Sequence, residues 1–386
     1  MRRLAAGFSF FWLSFSGFTA VGEEWTHFSE GEDDLAYAVA VHRGALVYTR
    51  QFFASGESGG EGMIEELSGI ADACGASLQR VVRLNFFLSD NSAERREQAE
   101  ALLRKCWPRG KTPAVTFIPG ALPDDVTMAC DAVILAAGKA KEVSRIGSTS
   151  GVVHAKIAPA SCDLVYASGR VAKGASFQES IPAAMKLILD EYLFPQGCDS
   201  GDVLQIRAYV NEMDRVGDAK RLIERHFPKG NAPPIVFVEW AREDTVEIEM
   251  IAAAPEREAP EEMVSFYTPP NLKPSPAFSR VAILHGQEIV FFSGVSGESG
   301  LAPGEEVESL FRILERRVVD VGSDMSHLIK ATYLVSDREM DATFSELRLR
   351  HLDPDRPPAA SKVFRSFVDA EGRALLIDLI ATQPSP

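Results

Sequence analysis

Asp163-Leu164-Val165-Tyr166-Ala167-Ser168-Gly169 is the stretch that decides the fold, because the chain repeats it in outline twice more. Ala45-Leu46-Val47-Tyr48-Thr49 precedes it, and Glu288-Ile289-Val290-Phe291-Phe292-Ser293-Gly294 follows it. Each is a short apolar run ending at a small polar turn, as a buried strand does. Behind each come a Gly-containing loop, an apolar-periodic helix and a strand closing on Ser89-Asp90, Asn211-Glu212 or Ser336-Asp337. A second helix follows, then a strand led by Pro113, Pro233-Pro234 or Pro357-Pro358, and a final apolar strand. The period of about 120 to 125 residues is too long for a solenoid repeat and suits a whole domain. Strands in runs with one layer of helices predict an α+β unit, present three times: 34–137, 147–254 and 278–382.

Within the units, Met63, Ile64, Leu67, Ile70 and Ala71 share one helical face, and Gly75 is placed to end that helix in a left-handed turn. The helix near 180–193 is expected to begin close to Pro182, since proline is comfortable only in a first turn. Residues 255–277 are rich in Pro and Glu and predict an extended surface connector.

The chain has 386 residues, 46% of them hydrophobic, and a formal charge of −15. The acidity argues against a nucleic-acid partner, which would need clustered Lys and Arg. Met1-Arg2-Arg3, the apolar run Leu4 to Val21 and Ala20-Val21-Gly22 form a secretory signal pattern over 1–22. The expectation is an exported protein, periplasmic or extracellular, with no stable membrane insertion after cleavage. An uncleaved anchor is the alternative, and Ser9, Ser14 and Ser16 weigh against it. Five cysteines fit no disulfide framework and no metal spacing; Cys162 and Cys198 are the one pair within a single repeat. No phosphate loop, dinucleotide fingerprint or nucleophile elbow is present, so neither cofactor nor metal is expected.

The element order and three local phrases resemble the Rid family, also called YjgF or reactive-intermediate deaminases. The second unit carries the resemblance best, in Val165-Tyr166-Ala167-Ser168-Gly169, Gly201-Asp202-Val203 and Val246-Glu247-Ile248-Glu249-Met250-Ile251-Ala252. The last is similar to the family's closing strand, echoed by Leu375 to Ala381 and more faintly by Met128 to Ile134. The resemblance implies chorismate-mutase-like α+β units joined as a trimer, with sheets inside, helices outside and ligand clefts between neighbours. Three units in one chain would then form an intramolecular pseudo-trimer, monomeric in solution.

The family's chemistry is hydrolysis of reactive imines or enamines. A Pro-x-Arg-x-Cys phrase supplies an arginine that grips the substrate carboxylate as a bidentate fork. Here that position falls on Val115, Ile235 and Ala360, and the cysteine position on Phe117, Phe237 and Lys362. No copy keeps the arginine, so the family's deaminase activity is expected to be weak or absent. The closing-strand carboxylates persist: Glu247, with Glu249 two residues on and facing the same side, and Asp131 and Asp378 matching Glu249. Burial of that face should drive one carboxylate toward the neutral acid. Arg170, beside the Ser168-Gly169 turn, and Arg207 are the candidate replacement anchors, with surface ion pairing as their plainer role. Glu247 and Glu249 are accordingly the candidate catalytic residues, and Arg170, Arg207, Ser168 and Gly169 the candidate ligand contacts.

Three functions stay open. The first is a divergent Rid-type protein binding small carboxylate or carbonyl metabolites between units and hydrolysing an imine. The second is a scaffold that kept the fold and lost the site; the third is a chorismatase-like hydrolase. Clefts filled by Phe117 and Phe237 would favour the scaffold.

Overall fold

A computed structural model describes residues 24–31, 34–54, 60–123, 125–138, 140–148, 152–172, 176–241, 246–258 and 260–384. The expected signal segment, 1–22, lies outside the described residues. The chain opens with the hairpin β1 (Trp25–Phe28) and β2 (Ala38–His42). β3 (Leu46–Thr49), the short β4 (Phe52–Phe53), α1 (Glu61–Ala73), β5 (Val81–Leu88), α2 (Ala93–Cys106), β6 (Ala114–Pro119) and β7 (Met128–Leu135) follow. The order then recurs with a hairpin β8 (Ser144–Gly147) and β9 (Val153–Ala158). Next come β10 (Cys162–Val171), α3 (Phe177–Ile188), β11 (Val203–Val210), α4 (Val216–Glu224), β12 (Ile235–Glu239) and β13 (Glu247–Pro255). It recurs again with hairpin β14 (Val264–Tyr267) and β15 (Val281–Leu284), then β16 (Glu288–Phe292) and α5 (Pro303–Asp320). β17 (Leu328–Val335), α6 (Arg338–Leu347), β18 (Ala359–Phe364) and β19 (Leu375–Ala381) complete the chain.

These strands make three sheets of one topology: β6-β5-β7-β3-β9-β8, β12-β11-β13-β10-β15-β14 and β18-β17-β19-β16-β2-β1. In each, the Pro-led strand pairs in parallel with the strand between the helices, and the other pairings along the path are antiparallel. Sheet membership does not follow the expected unit boundaries. β9, placed in the second unit by repeat order, pairs with β3, and the N-terminal β2 pairs with β16, Glu288 opposite His42. The first two sheets therefore each take the hairpin that follows them in the chain, and the third takes the first hairpin of the described residues.

Side-chain alternation assigns each strand an outer and an inner face. Along β5, Leu84, Phe86 and Leu88 join the cluster beneath α1 and α2, with Met63, Leu67, Leu102 and Leu103. Phe87 points the other way, into a cluster shared with Tyr209, Val238, Leu334 and Val363 of the other two sheets. A second shared layer joins Tyr48, Tyr166, Phe291 and Ile380. The three inner faces thus pack on one another, and the helices lie outside.

Two expectations need correction. Pro182 sits inside α3, which starts at Phe177; buried Phe177, Ser180 and Ile181 set the start, and packing outweighs the hydrogen bond that proline forgoes. Residues 255–277 are no simple connector, because β14 lies within them and pairs with β15. Gly75 does end α1 in the left-handed region, at φ 71°. Cys162 and Cys198 are both free thiols, which burial pushes up to about 11 and about 12. No helix among the described residues is long and apolar enough to cross a membrane.

Candidate functional site: a buried charge belt and two open seams

Between the two shared apolar layers runs a belt of charge. Strand pairing puts Arg83, Gln205 and Lys330 at matching inner positions of β5, β11 and β17, opposite Ala114, outside the β12 pairing, and opposite Ala359 respectively. Asn85, Arg207 and Thr332 match two residues on, and face Asp131, Glu249 and Asp378 across β7, β13 and β19. All three cations and three carboxylates are at most 7% exposed, so each must be paired or carry a large desolvation penalty. Arg83 pairs with Asp378, and Lys330 with Glu249 at 2.7 Å. Arg207 stands between sheets, 3.6 Å from Asp131, 3.7 Å from Asp378 and 3.9 Å from Glu249. Asn85 donates to Asp131 at 3.1 Å, Thr116 to Asp378 at 3.0 Å and Ser361 to Glu249 at 2.5 Å.

The electrostatics differ from strand to strand. Burial alone would raise Glu249, but Lys330 and Arg207 beside it, with hydrogen bonds from Lys330 and Ser361, hold it below the ordinary carboxylate range. Burial does raise Asp131, against the opposing pull of Arg207, Arg83 and Asn85. Burial would weaken the charge on Arg207, and Asp131, Tyr209, Glu249 and Asp378 outweigh it, so the guanidinium stays firmly protonated. Glu249 is thus not driven toward the neutral acid as expected, while Asp131, its match on β7, is. The belt encloses a cavity of about 20 Å³, room for a water and not for a metabolite. Glu249 and Arg207 therefore serve cohesion between sheets.

Two ligand-sized spaces lie at the seams, where the turn after one sheet's first strand meets the Pro-led strand of another. At one seam Ser293 Oγ accepts from Val115 N–H at 2.7 Å, and Gly294 N–H donates to the Val115 carbonyl at 3.1 Å. At the second, Ser168 Oγ accepts from Ala360 N–H at 2.8 Å, and Gly169 N–H donates to Ser361 Oγ at 3.0 Å. At the third, Gln51 fills the gap, exchanging two 3.2 Å bonds with the Phe237 backbone.

The Ser293 seam opens a cavity of about 680 Å³ whose lining includes Arg96, Arg316, Arg317 and Arg373 against Glu30, Glu298, Asp369 and Glu371. Its charges balance, and the Arg96 guanidinium rests over Phe117, 3.6 Å from the ring centre. The Ser168 seam opens a cavity of about 530 Å³ lined by Gly169, Glu247, Ser361, Lys362 and Arg348, with Tyr333, Trp240 and Phe278 as walls. Its charged lining residues are Lys362, Arg348 and Glu247. Lys362 Nζ donates to Ser345 Oγ at 2.9 Å and pairs with Asp341, and Arg348 lies 5.4 Å from the Tyr333 ring centre. Gly169 has a steric reason to be glycine: a Cβ there would overlap the Glu247 carboxylate.

The structure therefore divides the candidate residues. Glu247 and Gly169 line the seam cavity and Ser168 fixes the neighbouring strand beneath it. Glu249 and Arg207 belong to the belt, and Arg170 lies apart, 3.4 Å from Glu191 and over the Tyr192 ring. Lys362 was legible only as a replaced cysteine. Arg348 follows α6, outside every quoted phrase, and had no sequence signal.

No family model matches the chain, and no curated protein is similar to it. Solved structures with local likeness include a YjgF-family protein from Neisseria meningitidis, 20% identical over 32% of this chain and 97% of its own, with a TM-score of 0.24. A member of the YjgF/YER057c/UK114 family from Mycobacterium tuberculosis is 19% identical over 24% of this chain and 78% of its own, with a TM-score of 0.23. Yeast Mmf1 is 15% identical over 31% of this chain and 94% of its own, with a TM-score of 0.24. Each likeness is confined to a third of this chain or less.

Proposed function

We propose that the chain binds a small carboxylate-bearing metabolite at the Ser168 seam, with Lys362 and Arg348 as its anion contacts and Glu247 as the facing base. The observation that carries this is the cavity of about 530 Å³ lined by those three side chains. In this reading Lys362 and Arg348 take the place of the family's arginine, whose position holds Ala360. Water oriented by Glu247 adds to a C=N carbon, the nitrogen leaves as ammonia and a carbonyl remains. The change of anchor makes such turnover slow, by a factor of roughly 30 to 1,000 against an arginine-bearing relative. The same reading takes the whole as an exported, single-chain pseudo-trimer of Rid-like units. The scaffold reading draws on the third seam, where Gln51 leaves no opening beside Phe237.

A thermal-shift screen with a panel of 2-oxo acids tests the binding, because a specific ligand raises stability by mass action. Lys362→Met should weaken the best hit by about 10- to 100-fold, the worth of one charge-assisted contact. Gly169→Ala should block it by displacing Glu247. A hit unaffected by either change, or no hit at all, favours the scaffold. Release of ammonia from enzymatically generated 2-aminoacrylate, compared with Glu247→Gln, tests the hydrolytic step.

A further inference from the structure

Far from the seams, on the outer face of the middle sheet, three side chains from adjacent strands stand in line. Ser265 on β14 has its Oγ 2.7 Å from His285 Nε2, just past the end of β15. His285 Nδ1 lies 2.5 Å from Asp163 Oδ2 on β10. The imidazole and the carboxylate are 1% and 4% exposed, while Ser265 is half-buried. With Asp163 as acceptor Nδ1 is the donor, and in the neutral ring Nε2 then offers its lone pair to the serine hydroxyl. The other Asp163 oxygen is buried with no hydrogen-bond partner, so the imidazole takes all of its directed bonding. We propose that Ser265, His285 and Asp163 form a nucleophilic triad able to cleave small carboxylic esters, with Asp163 as the positioning residue.

The matching positions of the other sheets show that hairpin docking does not require this trio. In the first sheet Ser144 stands opposite Ile157, but Pro159 and Ala45 flank the Leu46–Ala158 pair where His285 and Asp163 flank Leu164–Leu284. In the third, Thr26 stands opposite Ala40, and His42 meets Glu288 at 2.6 Å with both side chains open to solvent. Only the middle sheet buries the His–carboxylate pair and completes it with a hydroxyl. Ser265 Oγ attacks the ester carbonyl carbon as its proton passes to His285 Nε2. The departing alkoxide takes that proton and leaves an acyl-serine. Water then attacks the acyl carbon, His285 accepts its proton and returns it to Ser265 Oγ, and the carboxylic acid departs. A nucleophile on a half-buried strand restricts this to esters with a small acyl group.

The test treats the full chain with a fluorophosphonate probe, maps the label by peptide mass, and follows p-nitrophenyl acetate hydrolysis. Label on Ser265 is expected, with Ser265→Ala and His285→Gln each losing at least about tenfold in both labelling and hydrolysis. Asp163→Asn should slow labelling and remove the far-downfield proton resonance of the His285 Nδ1–H, with the near-ultraviolet circular dichroism unchanged. Label elsewhere in the chain, or wild-type labelling no faster than Ser265→Ala, overturns the proposal. Mapping on the wild-type protein decides it alone if a variant fails to fold.

Discussion

Glu249 and Asp131 occupy matching positions on β13 and β7, yet burial acts on them with opposite outcomes. Glu249 has two cations close by and is held below its unfolded value of about 4.3, so it contributes stability above that pH and loses it as pH falls through its lowered folded value. Asp131 is raised above its unfolded value of about 3.9; ionised at neutral pH it carries a penalty, relieved as acidification protonates it in the fold. Glu249→Gln should therefore lower unfolding free energy at pH 7 by about 3 to 5 kcal/mol, as loss of one partner of a buried pair does. Asp131→Asn should cost clearly less, since the amide oxygen still accepts from Asn85. Urea unfolding of both variants at pH 7 checks this, and the reverse order would show that Arg207 depends mainly on Asp131. The matched carboxylates were legible in the sequence, because strand alternation alone puts them on one face. The pairing of their cations was not. Which of Arg83, Arg207 and Lys330 meets which carboxylate depends on how three sheets face one another, and no spacing along the chain encodes that.

At the scale of elements, strand order within each third was readable from apolar runs and turns, while the ownership of the hairpins was not. A repeat shows that a hairpin recurs, but a hairpin between two units can complete either one. β9 pairs with β3, and β10 takes β15 from the next hairpin instead. Local propensity likewise misplaced the start of α3, because Phe177 and Ile181 bury a full turn before and beside Pro182. Pro182 thus removes a hydrogen bond from the body of a helix. Pro182→Ala should raise unfolding free energy by on the order of 1 to 3 kcal/mol, read as a higher denaturant midpoint at unchanged slope. A lower midpoint would mean that the proline ring packs better than the bond it displaces.

Taken whole, the molecule turns three inner faces toward one another within one chain, and light scattering should find a single 42.1 kDa chain or its processed form in solution. An obligate trimer of chains would overturn the single-chain reading. Removing residues 1–43 should strip β1 and β2 from the third sheet and leave β16 an uncovered edge that is apolar from Ile289 to Phe292. The expected result is concentration-dependent association in the same scattering experiment, and a monomeric, cooperatively melting truncation would contradict it. The borrowed hairpin also orders events in time. During synthesis the first hairpin emerges with nothing to pair with, and its partner, β16, follows about 250 residues later, or on the order of ten to fifty seconds at ordinary elongation rates. The earlier two sheets can close soon after their hairpins appear, whereas the third waits on both ends of the chain. The last step of folding is therefore a ring closure that seats β2 on β16.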